Sequence, residues 1–218
     1  MNAFASLLEN PEIQAATSTF IEKSRQVHRR PVNLRKYDIT HSESVLRGAR
    51  ANSWLANLTE ETSINAYSVL APNSMDAQVR TLLRAPLQVF ARLDSLAGGT
   101  GQPTQGAAQL QGLAKLFDAR ILNQYEVLVP IWIHNHVLAQ DNFAARTGTI
   151  ARISLRLSLV ASGADTLGLG VPETGFWRHK QQYFQIATNP QSPDSMLCVL
   201  DALRAGMDEA AGIAAAAA

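Results

Sequence analysis

Asp141-Asn142-Phe143-Ala144-Ala145-Arg146-Thr147-Gly148-Thr149-Ile150-Ala151-Arg152 is the stretch on which the fold turns. It leaves one helical pattern, passes through small polar residues and a single glycine, and enters a second helical pattern. The first turn of that second helix carries free backbone N–H groups. Such a start favours an anion, because the orphan donors and the positive end of the helix dipole point the same way. Downstream, Ile150, Ile153, Leu157 and Val160 recur at helical spacing, and Gly163 stands where a left-handed cap ends a helix.

The pattern on either side is the same. Almost no segment alternates at period two, so the fold class is mainly α, a single domain over 1–218. An N-terminal helix is expected over 11–28, opened by Pro11 and carrying Ile13, Ala16, Phe20 and Val27 on one face. Further helices are expected over 42–58 from a capping-type Ser42, over 76–96 with Pro86 kinking or splitting it, and over 107–117. Others follow over 125–140 with Pro130 as a disturbance, over 148–162, over 176–187, and from Ser192-Pro193-Asp194 onward. The alanine-rich tail 210–218 has good helix propensity but nothing evident to pack against, so it is expected to fray.

Composition sets the bounds. With 218 residues, 46% of them hydrophobic, the chain can fill a core without disulfides. Lys+Arg 19 against Asp+Glu 18 leaves a net charge of +1, which gives no global drive toward nucleic acid or an anionic membrane. The basic run Lys23, Arg25, His28, Arg29, Arg30, Arg35 and Lys36 reads as a solvated helix end. Cys198, the sole cysteine, lies in an apolar run and reads as a small buried hydrophobe in a reducing compartment. The N-terminus lacks the basic and apolar regions of a secretory signal, and no apolar stretch approaches membrane-spanning length. The expected location is cytoplasmic, with no membrane and no nucleic acid as partner.

Other candidate motifs are weak. His134 and His136 at i and i+2 point about 200° apart on a helix and cannot share a metal there. Gly98-Gly99-Thr100-Gly101 follows a helix, not a strand, and Gly168-Leu169-Gly170 lacks a third glycine at the right distance, so neither makes a dinucleotide fingerprint. No nucleophile elbow and no announced pair of carboxylates is present.

The order of helix, loop, glycine-containing helix start and cap resembles the Fic family, whose loop reads H-P-F-x-[DE]-G-N-G-R-x-x-R and falls on Asp141–Arg152 without a gap. Leu46–Leu55 and Leu169–Gly175 are similar to actinobacterial Fic-like proteins, so the resemblance covers about residues 40–205. It implies a Fic-like helical fold with at most a short β-hairpin, and an ancestry in transfer of AMP from ATP to protein hydroxyls. The departures carry the functional argument. The family's general base corresponds to Asp141, a weaker base at an ordinary carboxylate pKa. Its metal-holding acid corresponds to Ala145, its first cradle glycine to Arg146, its asparagine to Thr147 and its first arginine to Thr149. Phe143, Gly148 and Arg152 alone are retained. The self-inhibitory motif of the family falls on Asn52–Asn57, with Ala56 where a glutamate would pair with the second loop arginine and Asn57 allowed in the last place.

The expectation is a degenerate AMP-transferase that acts by binding a ligand or protein, with no catalytic residue, no metal and no cofactor. A remnant anion or nucleotide site would use Phe143, Arg146, Thr147, Gly148, Thr149 and Arg152, with ATP or another phosphate-containing ligand as its occupant. Two alternatives stand beside it. One is an active transferase using Asp141 or His136 as base. The other is a structural helical domain that binds a protein partner or forms a homo-oligomer, with no ligand site.

Overall fold

Five prolines open helices: Pro11, Pro31, Pro86, Pro172 and Pro193 each sit in a first turn, where a missing N–H removes no intrahelical bond and the fixed φ suits the helix. The computed structural model describes residues 2–218. Its helices are α1 (Asn2–Leu8), α2 (Pro11–His28), α3 (Pro31–Arg35), α4 (Tyr37–Ala56), α5 (Glu60–Tyr67), α6 (Met75–Arg84) and α7 (Pro86–Leu96). There follow α8 (Ala107–Ala114), α9 (Ala119–Gln124), α10 (Leu128–Gln140), α11 (Thr147–Ser162), α12 (Pro172–Arg178), α13 (Lys180–Gln185) and α14 (Pro193–Ala217). There is no strand among the described residues, and the fold is a mainly α single domain.

Several boundaries differ from the sequence reading, each for a local reason. Pro86 divides 76–96 into α6 and α7. Pro130 disturbs nothing, because it lies within the first turn of α10, among the orphan donors. Helix α4 starts at Tyr37, five residues before Ser42, which is interior to it. Helix α5, which the periodicity did not announce, is opened by the Thr59 hydroxyl accepting from the Thr62 N–H. The stretch 176–187 is broken at His179 into α12 and α13.

Helix α11 is the central element. It is buried on nearly every side, with α10 along its length, α6, α7 and α9 on one flank and α4 on another. Gly163 ends it with φ 89°, the left-handed cap that its position in sequence implied. A second pillar, α14, packs between α2 and α12 over Ile13, Phe20, Phe176, Val199 and Leu203.

The tail does not fray. Helix α14 continues to Ala217, burying Ala210, Ile213 and Ala214. Two carbonyls of its C-terminal part accept from cations of the basic run, Ala211 from Arg30 at 2.8 Å and the last, Ala217, from Lys36 at 2.6 Å. Cations at that end also oppose the negative pole of the helix. Lys23 pairs with Asp208 at 2.5 Å and His28 with Asp165 at 2.7 Å, so much of the run pins α2 and α3 to the rest of the fold.

If the end of α14 is packed in this way, Ile213→Ala lowers the unfolding free energy by about 2 kcal/mol or more, as large-to-small core changes do. A urea titration checks this, and an unchanged midpoint would mean a frayed end.

Candidate functional site

Asp141 ends α10 in the left-handed region, φ 48°, with its side chain exposed. The chain then turns inward. Asn142 is buried, and its side-chain amide N–H donates to the Gln105 and Gly106 carbonyls at 3.1 Å each while its backbone carbonyl accepts from the Thr104 N–H at 2.7 Å. Phe143 fills the core, and its N–H donates to the Thr147 hydroxyl at 2.9 Å. A 3-10 turn at Ala144–Arg146 then delivers the chain into α11. Ala144 and Ala145 are exposed.

The residues proposed for an anion site are thereby distributed among different tasks. Arg146 donates through Nε to the buried Asp94 carboxylate at 2.5 Å, and the other Asp94 oxygen accepts from the Gly101 N–H at 2.9 Å. Thr147 is committed to Phe143. Thr149 accepts from the Asn52 amide at 3.2 Å. Arg152, 1% exposed, runs back along α11 as helical side chains do and lays its guanidinium against Gly148, whose missing Cβ would stand 3.1 Å from Nη1 and 3.2 Å from Nη2.

Arg152 is held by two neutral acceptors. Its Nε donates to Asn52 Oδ1 at 2.9 Å and its Nη1 to the Tyr183 hydroxyl at 3.0 Å, with the guanidinium carbon 5.6 Å from the centre of the Tyr183 ring. Burial opposes its charge, yet the oxygens of Tyr183 and Tyr67 and the Glu173 carboxylate hold its pKa above the ordinary arginine value. The chain of donors continues. With its lone pair taken by Arg152, the Tyr183 hydroxyl directs its proton to His134 Nε2 at 3.3 Å, which assigns the remaining ring proton to Nδ1, 2.9 Å from Asn135 Oδ1. His136 turns elsewhere, onto the Trp132 carbonyl at 2.8 Å and against the Trp132 ring. The two histidines do not converge, and among the described residues no group of three or more His, Cys, Asp or Glu side chains is arranged to hold a metal ion.

Helix α4 does face the loop arginine, but through Asn52, one turn earlier than the glutamate position of the family motif. Ala56 is half-buried, and Asn57 is exposed and caps the helix at φ 52°.

One turn below Arg152 lies a second buried cation that the sequence reading passed over. Arg156 donates through Nη2 to the Ser44 hydroxyl at 2.8 Å and the Gly168 carbonyl at 3.1 Å, and its Nη1 stands 3.6 Å from Glu173 Oε2. Glu173, fully buried, accepts from the Tyr67 hydroxyl at 2.9 Å. Gly48 makes room for this group, since a Cβ there would lie 2.6 Å from Arg156 Nη1 and 3.1 Å from the Glu173 carboxylate. The signal for Arg156 was present in sequence, as a charge four residues from Arg152 in a helix otherwise apolar on both flanks. Its partners were not legible.

Comparison with protein-family models, with curated proteins and with solved structures gives no match to this chain.

Two outcomes test this layer. Glu173→Gln leaves Arg156 buried beside an uncharged group and lowers stability by about 3–5 kcal/mol, read from urea unfolding. A drop much smaller than that would mean the pair is solvated. The second concerns acid. Burial pulls His134 down to about 3, and burial with the Arg156 charge pulls His41 down to about 4. Above about pH 6.5 both are neutral folded or unfolded and contribute no pH dependence. Below it the unfolded chain takes up protons that the folded one refuses, so each removes about 1.4 kcal/mol of stability per pH unit until its folded pKa is reached. Asp165 adds a loss of the same sign at lower pH; burial pushes its pKa up, but the His28 contact and the Gly170 N–H hold it below the ordinary carboxylate value. Unfolding midpoints at pH 7 and pH 5 should differ accordingly, and His134→Gln should flatten the difference.

Proposed function

We propose that this chain is a catalytically silent helical domain of Fic-like ancestry that acts by binding a protein partner. The observation that carries the reading is the closure of the Asp141–Arg152 loop by its own side chains. Arg152 lies on the Gly148 helix start with Nε donating to Asn52 and Nη1 to Tyr183, and Arg146 is withdrawn onto Asp94.

A transferase of the family type would need a base beside the acceptor hydroxyl, an oxygen ligand for the metal and directed donors for the phosphates. Here Asp141 is exposed at a helix end, Ala145 carries no side-chain oxygen, and the threonines at 147 and 149 spend their hydroxyls on the fold. Those features support loss of the chemistry. The resemblance in three segments supports the ancestry.

A second reading, retention of an anion, draws on one observation: Arg152 touches only neutral acceptors and shares the start of α11 with the positive pole of the helix. An anion there would neutralise both.

Calorimetry at low salt separates the two. With ATP, ADP, AMP and inorganic phosphate the expected result is no heat of binding, and incubation with α-labelled nucleotide is expected to transfer no label to the protein or to added proteins. Heat that disappears on Arg152→Gln would replace the partner reading with the anion reading. Label transfer lost on Asp141→Ala would sink both.

A further inference from the structure

The segment Phe176-Trp177-Arg178-His179-Lys180-Gln181-Gln182-Tyr183-Phe184 interleaves aromatic and basic residues, and the break between α12 and α13 sorts them by side. Phe176 and Tyr183 point inward and stack with centroids 4.3 Å apart, closing on His134 and Arg152. Trp177 and Phe184 remain 38% and 48% exposed. They are joined by Trp54 from the last turn of α4, 56% exposed, whose ring centre lies 5.5 Å from that of Trp177. Lys180 holds its ammonium 4.8 Å from the Trp177 ring centre and 5.8 Å from that of Phe184. Neither Arg178 nor Lys180 has a carboxylate within 4.0 Å among the described residues.

We infer that the Trp54–Trp177–Phe184 face, with Arg178 and Lys180 at its edge, docks an acidic segment of a partner protein through one or two apolar anchors. The inference rests on the partner-binding reading and specifies where and with what chemistry. Three large aromatics left side by side in water are what an interface core contains before its partner arrives, and tryptophan and arginine are the residues such cores favour. Lys180 already orders Trp177 and Phe184, so less side-chain entropy is lost on binding.

The charges choose the occupant. Two unpaired cations at the rim complement carboxylates. A second copy of the chain would bring the same cations against themselves across a two-fold axis. A nucleic-acid strand is matched by a row of cations that follows its phosphates, whereas the unpaired cations here are two, and Arg50, one turn before Trp54, is neutralised by Glu60 at 2.9 Å. The face also straddles α4 and α13, whose inner residues Asn52 and Tyr183 hold Arg152.

The test pans a displayed library of random dodecapeptides against the full chain, with subtraction against Trp177→Ala. Enriched peptides are expected to set Asp or Glu beside Leu or an aromatic residue. A synthetic representative, followed by fluorescence anisotropy, should bind about tenfold or more weakly to Trp177→Ala and to Lys180→Glu, and unchanged to Leu34→Ala, an exposed apolar position elsewhere. Circular dichroism verifies the folding of each variant, with Phe184→Ala as a further variant should one fail. The proposal is overturned if no peptide distinguishes wild type from Trp177→Ala, or if the enriched peptides are basic or uncharged. It is equally overturned if a thymidine homopolymer or phosphatidylserine vesicles, rather than the peptides, bind in a manner lost on these substitutions. Any of these results would leave the calorimetric test of the silent loop untouched, so the two readings fail separately.

Discussion

Two guanidinium groups one turn apart on the most enclosed helix of the protein impose conditions on everything packed around them. A buried cation without acceptors is strongly destabilising, so each element that covers this face of α11 supplies one. Helix α4 brings Asn52 and Ser44, α12 brings Glu173, α13 brings Tyr183, and the turn after α11 brings the Gly168 carbonyl. Apolar burial sets no direction, whereas the hydrogen bonds from Asn52, Ser44 and Tyr183 do, and they orient α4 and α13 on the core, while α12 is drawn in by the Glu173 charge 3.6 Å from Arg156. Gly48 belongs to the same condition, since a Cβ there would lie 2.6 Å from Arg156 Nη1.

The parts of the fold that were legible in sequence are those decided locally. Pro11, the Ser192-Pro193 pair and Gly163 mark helix ends by their own backbone chemistry, and the helices begin and end there. Where the reading missed, the deciding partner was far along the chain. The end of α14 is held by Arg30 and Lys36, 181 residues away in each case, so no window around 210–218 could show that it packs. The site divides in the same way. The frame of the loop, from the cap at Asp141 to the start of α11, could be read from order and residue type. The fate of its arginines could not, because Arg146 meets Asp94 at a separation of 52 residues and Arg152 meets Asn52 at 100.

The loop meets a different set of demands from those of an anion cradle. In an anion cradle, backbone donors and arginines must stay free to meet a ligand, and that freedom leaves polar groups to be satisfied by water when the ligand is absent. In this chain Thr147 accepts the Phe143 N–H, Asn52 and Tyr183 accept from Arg152, and Thr149 accepts from Asn52, and the result is a joint between α4, α11 and α13. An anion entering now would have to displace Arg152 from Asn52 and Tyr183, two bonds already made in a desolvated setting, before making its own.

That commitment has a geometrical consequence for where function can reside. Once the inner faces of α4, α12 and α13 are used to hold the two arginines, the side chains of those elements that remain uncommitted lie on the outside. There the short helix α12 turns into α13 at His179 and presents Trp177, Lys180 and Phe184 beside Trp54. The position of this outer face is set by the same bonds that close the loop, because Tyr183 and Phe184 are neighbours on α13 and Asn52 and Trp54 lie two residues apart on α4. Rigid placement of exposed aromatics reduces what any association must order, and the buried arginine layer packs directly beneath the elements that carry them.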